Sequence, residues 1–394
     1  MMQIELGKSV ELVTKGTTPT SLGENFTESG IKFLRAQNVV DGKILIDDDI
    51  LFIDNETHNS KLKRSHILKG DVLLTIAGTI GRTAIVEIDE ELNCNQAVAI
   101  IRLGNSEIHP NFLCHFFATS NAQSQFTMGK VTATIPNLSL SQIKKLKIPL
   151  PPLDQQKKIA TILDAADAYR QKTKALITKY DELTQSLFLD MFGDPVTNPM
   201  GWKKVKLNTL CHKITDGTHK TPRYQDSGII FLSAKNIKNY KLNKLDCKYI
   251  SESEHELLSK RCNVEKGDIL LTKSGSLGMA AMIDFDFEFS IFESLALLKY
   301  SREAINGSFL LFYLNTPSTQ FQYHAMTKGV GVKHLHLTDL RKLSVITPPK
   351  NKQNEFMHKV QTIEAQKAQA QASLAQSEDL FNSLLQRAFK GELT

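Results

Sequence analysis

The spacing of hydrophobic and polar positions changes character partway along the chain, and the same change recurs once further on. From the start to about residue 150, short apolar runs broken by Gly, Asn and Asp predict strands and turns at 31–34, 72–76 and 97–103. A helical segment is expected around 112–126. Pro149, Pro151 and Pro152 then make a stop that no helix or central strand crosses. Beyond it apolar or small residues fall three and four apart, at Ile159, Leu163, Ala166, Thr173, Ile177, Tyr180, Leu187 and Met191, with Arg170 and Thr184 completing the seam. About four heptads without Gly or Pro predict one long coiled-coil helix, ending near Phe192-Gly193-Asp194-Pro195. The strand-like pattern then returns, with a helical stretch around 308–325 and a second stop at Pro348-Pro349. A second seam follows at Phe356, Val360, Ile363, Lys367, Ala370, Leu374, Ser377, Phe381, Leu384 and Ala388, closing near Phe389-Lys390-Gly391.

The residues themselves repeat as well as the pattern. Gly30-Ile31-Lys32-Phe33-Leu34 returns as Gly228-Ile229-Ile230-Phe231-Leu232, and Lys69-Gly70-Asp71-Val72-Leu73-Leu74-Thr75 as Lys266-Gly267-Asp268-Ile269-Leu270-Leu271-Thr272. From Lys69 onward the offset is constant at 197 residues; Gly16 and Pro19 match Gly217 and Pro222 at about 201. So long a period excludes a solenoid and identifies a duplicated domain. The expected fold is α+β: two globular copies, 1–152 and 194–349, with long helices at 153–193 and 350–394. A lone helix of some 38 residues, roughly 57 Å long, leaves its seam bare. Two helices with matching seams are therefore expected to pack on each other as an antiparallel coiled coil, with pseudo-two-fold symmetry; two independent helical linkers are the alternative. That symmetry is the one expected of a DNA reader with two inverted half-sites, whose unlike domains read a split, non-palindromic target. Docking on one face of the duplex favours half-site centres roughly 10 base pairs apart.

Charge sharpens this only modestly. The net charge is +6, distributed unevenly: residues 1–152 carry 15 Lys/Arg against 16 Asp/Glu, whereas 200–348 carry 21 against 14. A basic second copy suits a polyanion, and it also suits plain solubility. No signal peptide and no apolar run near the roughly 20 residues of a membrane span are found, so a cytoplasmic protein without membrane contact is expected. Cys94, Cys114, Cys211, Cys247 and Cys262 form no Cys-x-x-Cys pair and read as small thiols in a reducing compartment.

Motifs for catalysis are missing. Gly7-Lys8-Ser9 has the tail of a phosphate loop, but Met2 stands where its first glycine belongs, and Gly329-Val330-Gly331 runs into His334 where a dinucleotide loop needs a third glycine. Asn198-Pro199-Met200 falls short of the Asn-Pro-Pro-aromatic run of an adenine methyltransferase. His334 and His336 have no third ligand nearby, so no metal is expected. Asp284, Asp286 and Glu288 alternate with phenylalanines as on the solvent face of a hairpin. No cofactor is expected. For DNA, the candidates are loop residues able to bond phosphates or base edges. In the first copy they are Lys15, Thr17, Thr18, Arg35, Gln37, Arg82, Lys130 and Thr132. In the second they are Thr218, His219, Lys220, Lys235, Lys273, Lys328, Lys333 and His334. Each alone reads equally as a solvated side chain, and Asn38 and Asn236, being part of the repeated framework, as turn residues.

The segment Ile148-Pro149-Leu150-Pro151-Pro152-Leu153-Asp154-Gln155-Gln156-Lys157-Lys158-Ile159 leads into the first long helix. Together with the twice-used Lys-Gly-Asp-(Val/Ile)-Leu-Leu-Thr and the duplicated layout, it resembles the specificity subunits of type I restriction–modification enzymes over essentially the whole chain. The resemblance implies two target-recognition domains on double-stranded DNA and two spacer helices docking two copies of an adenine-methyltransferase subunit. It also implies a motor–nuclease subunit in the full complex, and a chain that is itself no enzyme. The second copy departs from the pattern at Thr347-Pro348-Pro349-Lys350-Asn351-Lys352-Gln353. Two other classes stay open: a single-chain DNA-modifying enzyme, and a coiled-coil scaffold whose ends bind DNA or protein.

Overall fold

The computed structural model describes residues 3–40, 42–127, 137–327 and 334–393. The chain forms two compact units, Met1–Ala175 with Gln371–Thr394, and Leu176–Ala370, so each contains one strand-rich lobe and half of each long helix.

In the first unit the strands are β1 (Gln3–Glu5), β2 (Leu12–Lys15), β3 (Ile31–Leu34), β4 (Leu51–Ile53), β5 (Val72–Thr75), β6 (Thr83–Ile85), β7 (Leu92–Cys94), β8 (Val98–Arg102) and β9 (Lys147–Pro149). The helices are α1 (Asn55–Asn59), α2 (Pro110–Ala118), α3 (Ser120–Thr127), α4 (Leu140–Lys144) and the long α5 (Leu153–Phe192). An antiparallel sheet runs β2-β8-β5-β6; beside it β4-β3-β7 pairs β3 antiparallel to β4 and parallel to β7, and β1 pairs with β9. Both faces of β5 and β8 are covered, which is why Val72–Leu74 and Val98–Ile101 are continuous apolar runs rather than alternating ones. One core packs beneath α2 and α3, and the other fills the space between the two larger sheets.

The second unit repeats each element: β10 (Lys204–Lys206), β11 (Cys211–Asp216), β12 (Ile229–Leu232), β13 (Lys248–Ile250), β14 (Ile269–Thr272), β15 (Ala280–Met282), β16 (Phe289–Ile291), β17 (Leu295–Tyr300) and β18 (Ser344–Ile346). Besides a single turn at Leu207–Leu210, its helices are α6 (Glu252–Ser259), α7 (Gly307–Leu314), α8 (Pro317–Met326), α9 (Leu337–Leu340) and the long α10 (Lys350–Lys390). Even the register is kept: Leu73 opposite Ile100 becomes Leu270 opposite Leu297, and Phe33 beside Asn93 becomes Phe231 beside Ser290.

The repeated Lys-Gly-Asp motif proves structural. Asp71 accepts the Leu68 amide at 2.8 Å and pairs with Arg102 on β8, while Asp268 accepts the Glu265 amide at 2.9 Å and pairs with Lys299 on β17. The glutamine of the proline-rich signature is structural too. Buried Gln156 accepts the His109 amide at 2.9 Å and donates to the Glu107 and Pro151 carbonyls, tying the start of α5 to its lobe. Gln353 repeats this with the Asn306 amide and the Pro348 carbonyl. The second copy thus keeps the two prolines and the working glutamine of a signature that is altered between them.

The long helices pack antiparallel. In the first unit Ile159 and Leu163 of α5 meet Phe381, Leu385 and Ala388 of α10, and in the second Phe188 and Phe192 meet Phe356 and Val360. The polar seam positions are accommodated: Arg170 lies 4.5 Å over the Phe381 ring, and Lys367 pairs with Asp181. At the end of α5 the buried residues are Phe188 and Phe192, one place beyond the expected Leu187 and Met191, as a 3.6-residue helix drifts from a strict heptad.

The helical stretches around 112–126 and 308–325 are each made of two helices, because Thr119 and Thr316 cap a new helix and Pro317 bars continuation of the old one. One expectation needs correction. The segment with Asp284, Asp286 and Glu288 is no hairpin. Its flanking strands β15 and β16 lie in different sheets, and Phe285 and Phe287 stack on each other at 4.3 Å.

Candidate nucleic-acid interface

Strands β2 and β5 both run antiparallel to β8, with Lys15 opposite Ala99 and Thr75 opposite Val98, so they end at the same edge of the sheet, on either side of the start of β8. The parallel strands β3 and β7 end at the same edge, where the Thr17 amide donates to the Cys94 carbonyl at 3.1 Å and the Asn95 amide to the Leu34 carbonyl at 3.0 Å. Four strand ends thus form one rim. Lys15 closes β2; exposed Gln37 follows β3; exposed Arg82 leaves the turn after β5. Arg64 donates to the Thr17 hydroxyl at 3.0 Å, and Thr18 donates to the Gln96 side chain. Arg35 is engaged by the Asp49 carbonyl at 2.7 Å, and Asn38 accepts the Arg35 amide, as a turn residue does.

The approach of these strand ends depends on glycine. A Cβ on Gly16 would stand 1.9 Å from the Cys94 carbonyl oxygen, and one on Gly217 equally close to that of Ile291. Gly16→Ala is expected to destabilise the chain by about 1–3 kcal/mol through forced separation of β2 from β7. Chemical denaturation of the variant checks this; an unchanged midpoint would contradict the crowding.

The second unit builds the same rim from the ends of β11, β14, β12 and β16, with different chemistry. Asp216, 5% exposed, accepts Lys273 Nζ at 2.6 Å, Arg261 at 2.5 Å and His219 Nε2 at 3.2 Å. His219 Nδ1 lies 2.8 Å from Glu293. Burial raises the Asp216 carboxyl, but the Lys273 ammonium and His219 outweigh it and hold the group below its ordinary value. His334 bridges to Ser274 beside this network; burial, then the Lys273 charge, lowers its affinity for a proton. Lys220 and Lys235 are exposed.

A family model described as the type I restriction modification DNA specificity domain matches residues 4–183 and again 199–376. The chain belongs to that family. The Escherichia coli type I restriction enzyme EcoBI specificity subunit is 24% identical over 419 aligned residues, which take in 98% of this chain and 85% of the relative. The EcoKI specificity subunit of Escherichia coli strain K12 is 22% identical, covering 92% of this chain and 82% of its own. Among solved structures, the S subunit of a type I restriction–modification system from M. genitalium aligns with a TM-score of 0.54 at 15% identity, covering 98% of this chain and 96% of that one. A chain from a structure concerned with complex assembly and conformational transition of the type I R-M system aligns at 0.62 and 19%, covering 100% and 98%. At such identities the structural likeness concerns the fold.

For a member of the specificity family, the candidates that fall on the two rims are Lys15, Thr17, Thr18, Arg35, Gln37 and Arg82 in one copy, and Thr218, His219, Lys220, Lys235 and His334 in the other. Lys273 is different: it is 2% exposed and its ammonium is spent on Asp216, so it faces the interior. Lys130, Thr132, Lys328 and Lys333 lie outside the described residues. Arg64 and Gln96, and their counterparts Arg261 and Glu293, were not among the candidates. Both pairs hold the 197-residue offset, which was the available signal. Among the described residues no group of three or more His, Cys, Asp or Glu is placed to hold a metal ion, and no helix is long and apolar enough to cross a membrane.

Proposed function

We propose that this chain is the DNA sequence-specificity subunit of a type I restriction–modification system, working in the cytoplasm and itself without catalytic activity. Residues 1–152 and 194–349 are its two target-recognition domains, and each reads one half of an asymmetric, two-part site through its rim. The helices spanning 153–193 and 350–394 dock two adenine-methyltransferase subunits and, in the restriction complex, the motor–nuclease subunit. The observation carrying this reading is one scaffold used twice with different rim residues: Lys15, Thr18 and Gln96 in one copy, Asp216, His219 and Glu293 in the other. A conserved frame with altered edges is what two unlike DNA words require.

The test is methyl transfer from S-adenosylmethionine to DNA by the chain alone, by the methyltransferase alone and by both, with methylome sequencing of a host carrying the pair. The expected result is activity only for the pair, at one interrupted, non-palindromic sequence. Transfer or cleavage by the isolated chain would make it an enzyme. DNA affinity insensitive to salt would favour a protein-binding scaffold.

A further inference from the structure

The two copies differ in loop length at one corner of the rim. Gly16 and Pro19 flank two residues, whereas Gly217 and Pro222 flank four, and the longer loop brings His219 and Lys220. Facing this loop across a cleft of about 300 Å³ is the end of α6 and the turn after it; Thr218, Lys220, Leu257, Arg261 and Ser290 are among the lining residues. Beneath lies the buried Asp216–Lys273 pair. The first copy has Lys15 and Ile76 at those two places and forms the same strands, so the fold does not depend on the pair. A buried ion pair is also a poor source of stability, since desolvation offsets its attraction. What this one does is hold Arg261. That guanidinium donates to the Asp216 carboxylate and to the Asp216 and Gly217 carbonyls, all from a single nitrogen, Nη2. Among the described residues Nε and Nη1 make no hydrogen bond, and the side chain is 55% exposed. Lys220, exposed across the cleft, has no ion pair among the described residues.

A guanidinium anchored by one nitrogen, with the three N–H donors of Nε and Nη1 left over, opposite an unpaired ammonium, matches an oxyanion, and Leu257 (65% exposed) offers an apolar wall for a sugar. We propose that this cleft grips a phosphate of the DNA backbone in the second half-site through Arg261 and Lys220, with Asp216 and Lys273 as positioning residues for Arg261. The proposal rests on the DNA-reading function above. It separates the copies: Arg64 stands at the matching place in the first domain, on the Thr17 hydroxyl, but the shorter loop there has no counterpart of Lys220, in keeping with the second domain's excess of basic residues.

The experiment measures the affinity of the chain, assembled with its methyltransferase partners, for the target duplex and for duplexes with single base changes, over a range of salt. Lys220→Gln and Arg261→Gln are each expected to weaken binding several-fold, equally for every duplex, and to reduce the salt slope, the two together by about 0.9, one phosphate contact. The double variant Asp216→Lys/Lys273→Ile, which installs the first copy's residues, is expected to stay folded and to bind like Arg261→Gln. A loss restricted to particular base changes, or an unchanged salt slope in Lys220→Gln, would overturn the clamp. Wild-type affinity in the double variant would overturn the positioning role. Wild-type protein that fails to bind the duplex at all would overturn the DNA reading itself, and the clamp with it.

Discussion

Lys273→Met is expected to cost the second unit about 3 kcal/mol at neutral pH. Removing one partner of a buried ion pair strands the other, and such losses run to about 3–5 kcal/mol; the lower end applies because Arg261 and His219 still face Asp216. The effect should depend on pH with a definite sign. In the wild type the Asp216 carboxyl is held below its ordinary value, so its contribution is complete above that value and disappears as pH falls through the lowered one. In the variant, burial loses its main opponent and the carboxyl rises. Its protonation then removes the stranded charge, and the gap between variant and wild type narrows as the solution is made acid. Trp202, the single tryptophan, belongs to this unit and donates to the Phe192 carbonyl at 3.0 Å, so its fluorescence during urea unfolding at pH 7 and pH 4.5 supplies the readout. A gap that widens toward acid would refute the account.

Phe356→Ala is expected to be as damaging or more so, at about 3–5 kcal/mol. Phe356 is wholly buried in the first turns of α10, with ring centroids 5.0–5.7 Å from Phe312, Phe192 and Phe188. It joins three elements at once: the end of α5, the start of α10 and helix α7 of the lobe. Truncation leaves a cavity where all three meet, and rigid aromatic neighbours close such a space poorly. Ile159, at the matching place in the first unit, packs on aliphatic and aromatic partners from α10, and Ile159→Ala should cost less. Because Phe192 touches Trp202 at 6.3 Å, the aromatic signal should shift even before unfolding. An unchanged midpoint with an unchanged spectrum would show that the cluster does not couple the helices to the lobe.

The residue order alone specifies the duplication, the succession of elements and the pairing partners of the long helices. These are legible because a 197-residue offset and a three-and-four spacing are properties of the chain read linearly, and a helical seam leaves its partner few choices. It did not reveal the rim. The ends of β2, β3, β5 and β7 meet only because β3 pairs in parallel with β7, some 60 residues away, and the strands are three or four residues long, too short for their pattern to name a partner. Nor could it show that Lys273 is an interior residue. A lysine is buried only if a counter-charge waits for it, and here that charge, Asp216, stands 57 positions earlier on another strand. Local patterning chose the elements; long-range pairing decided which side chains share an edge, and which of the basic residues are left for DNA.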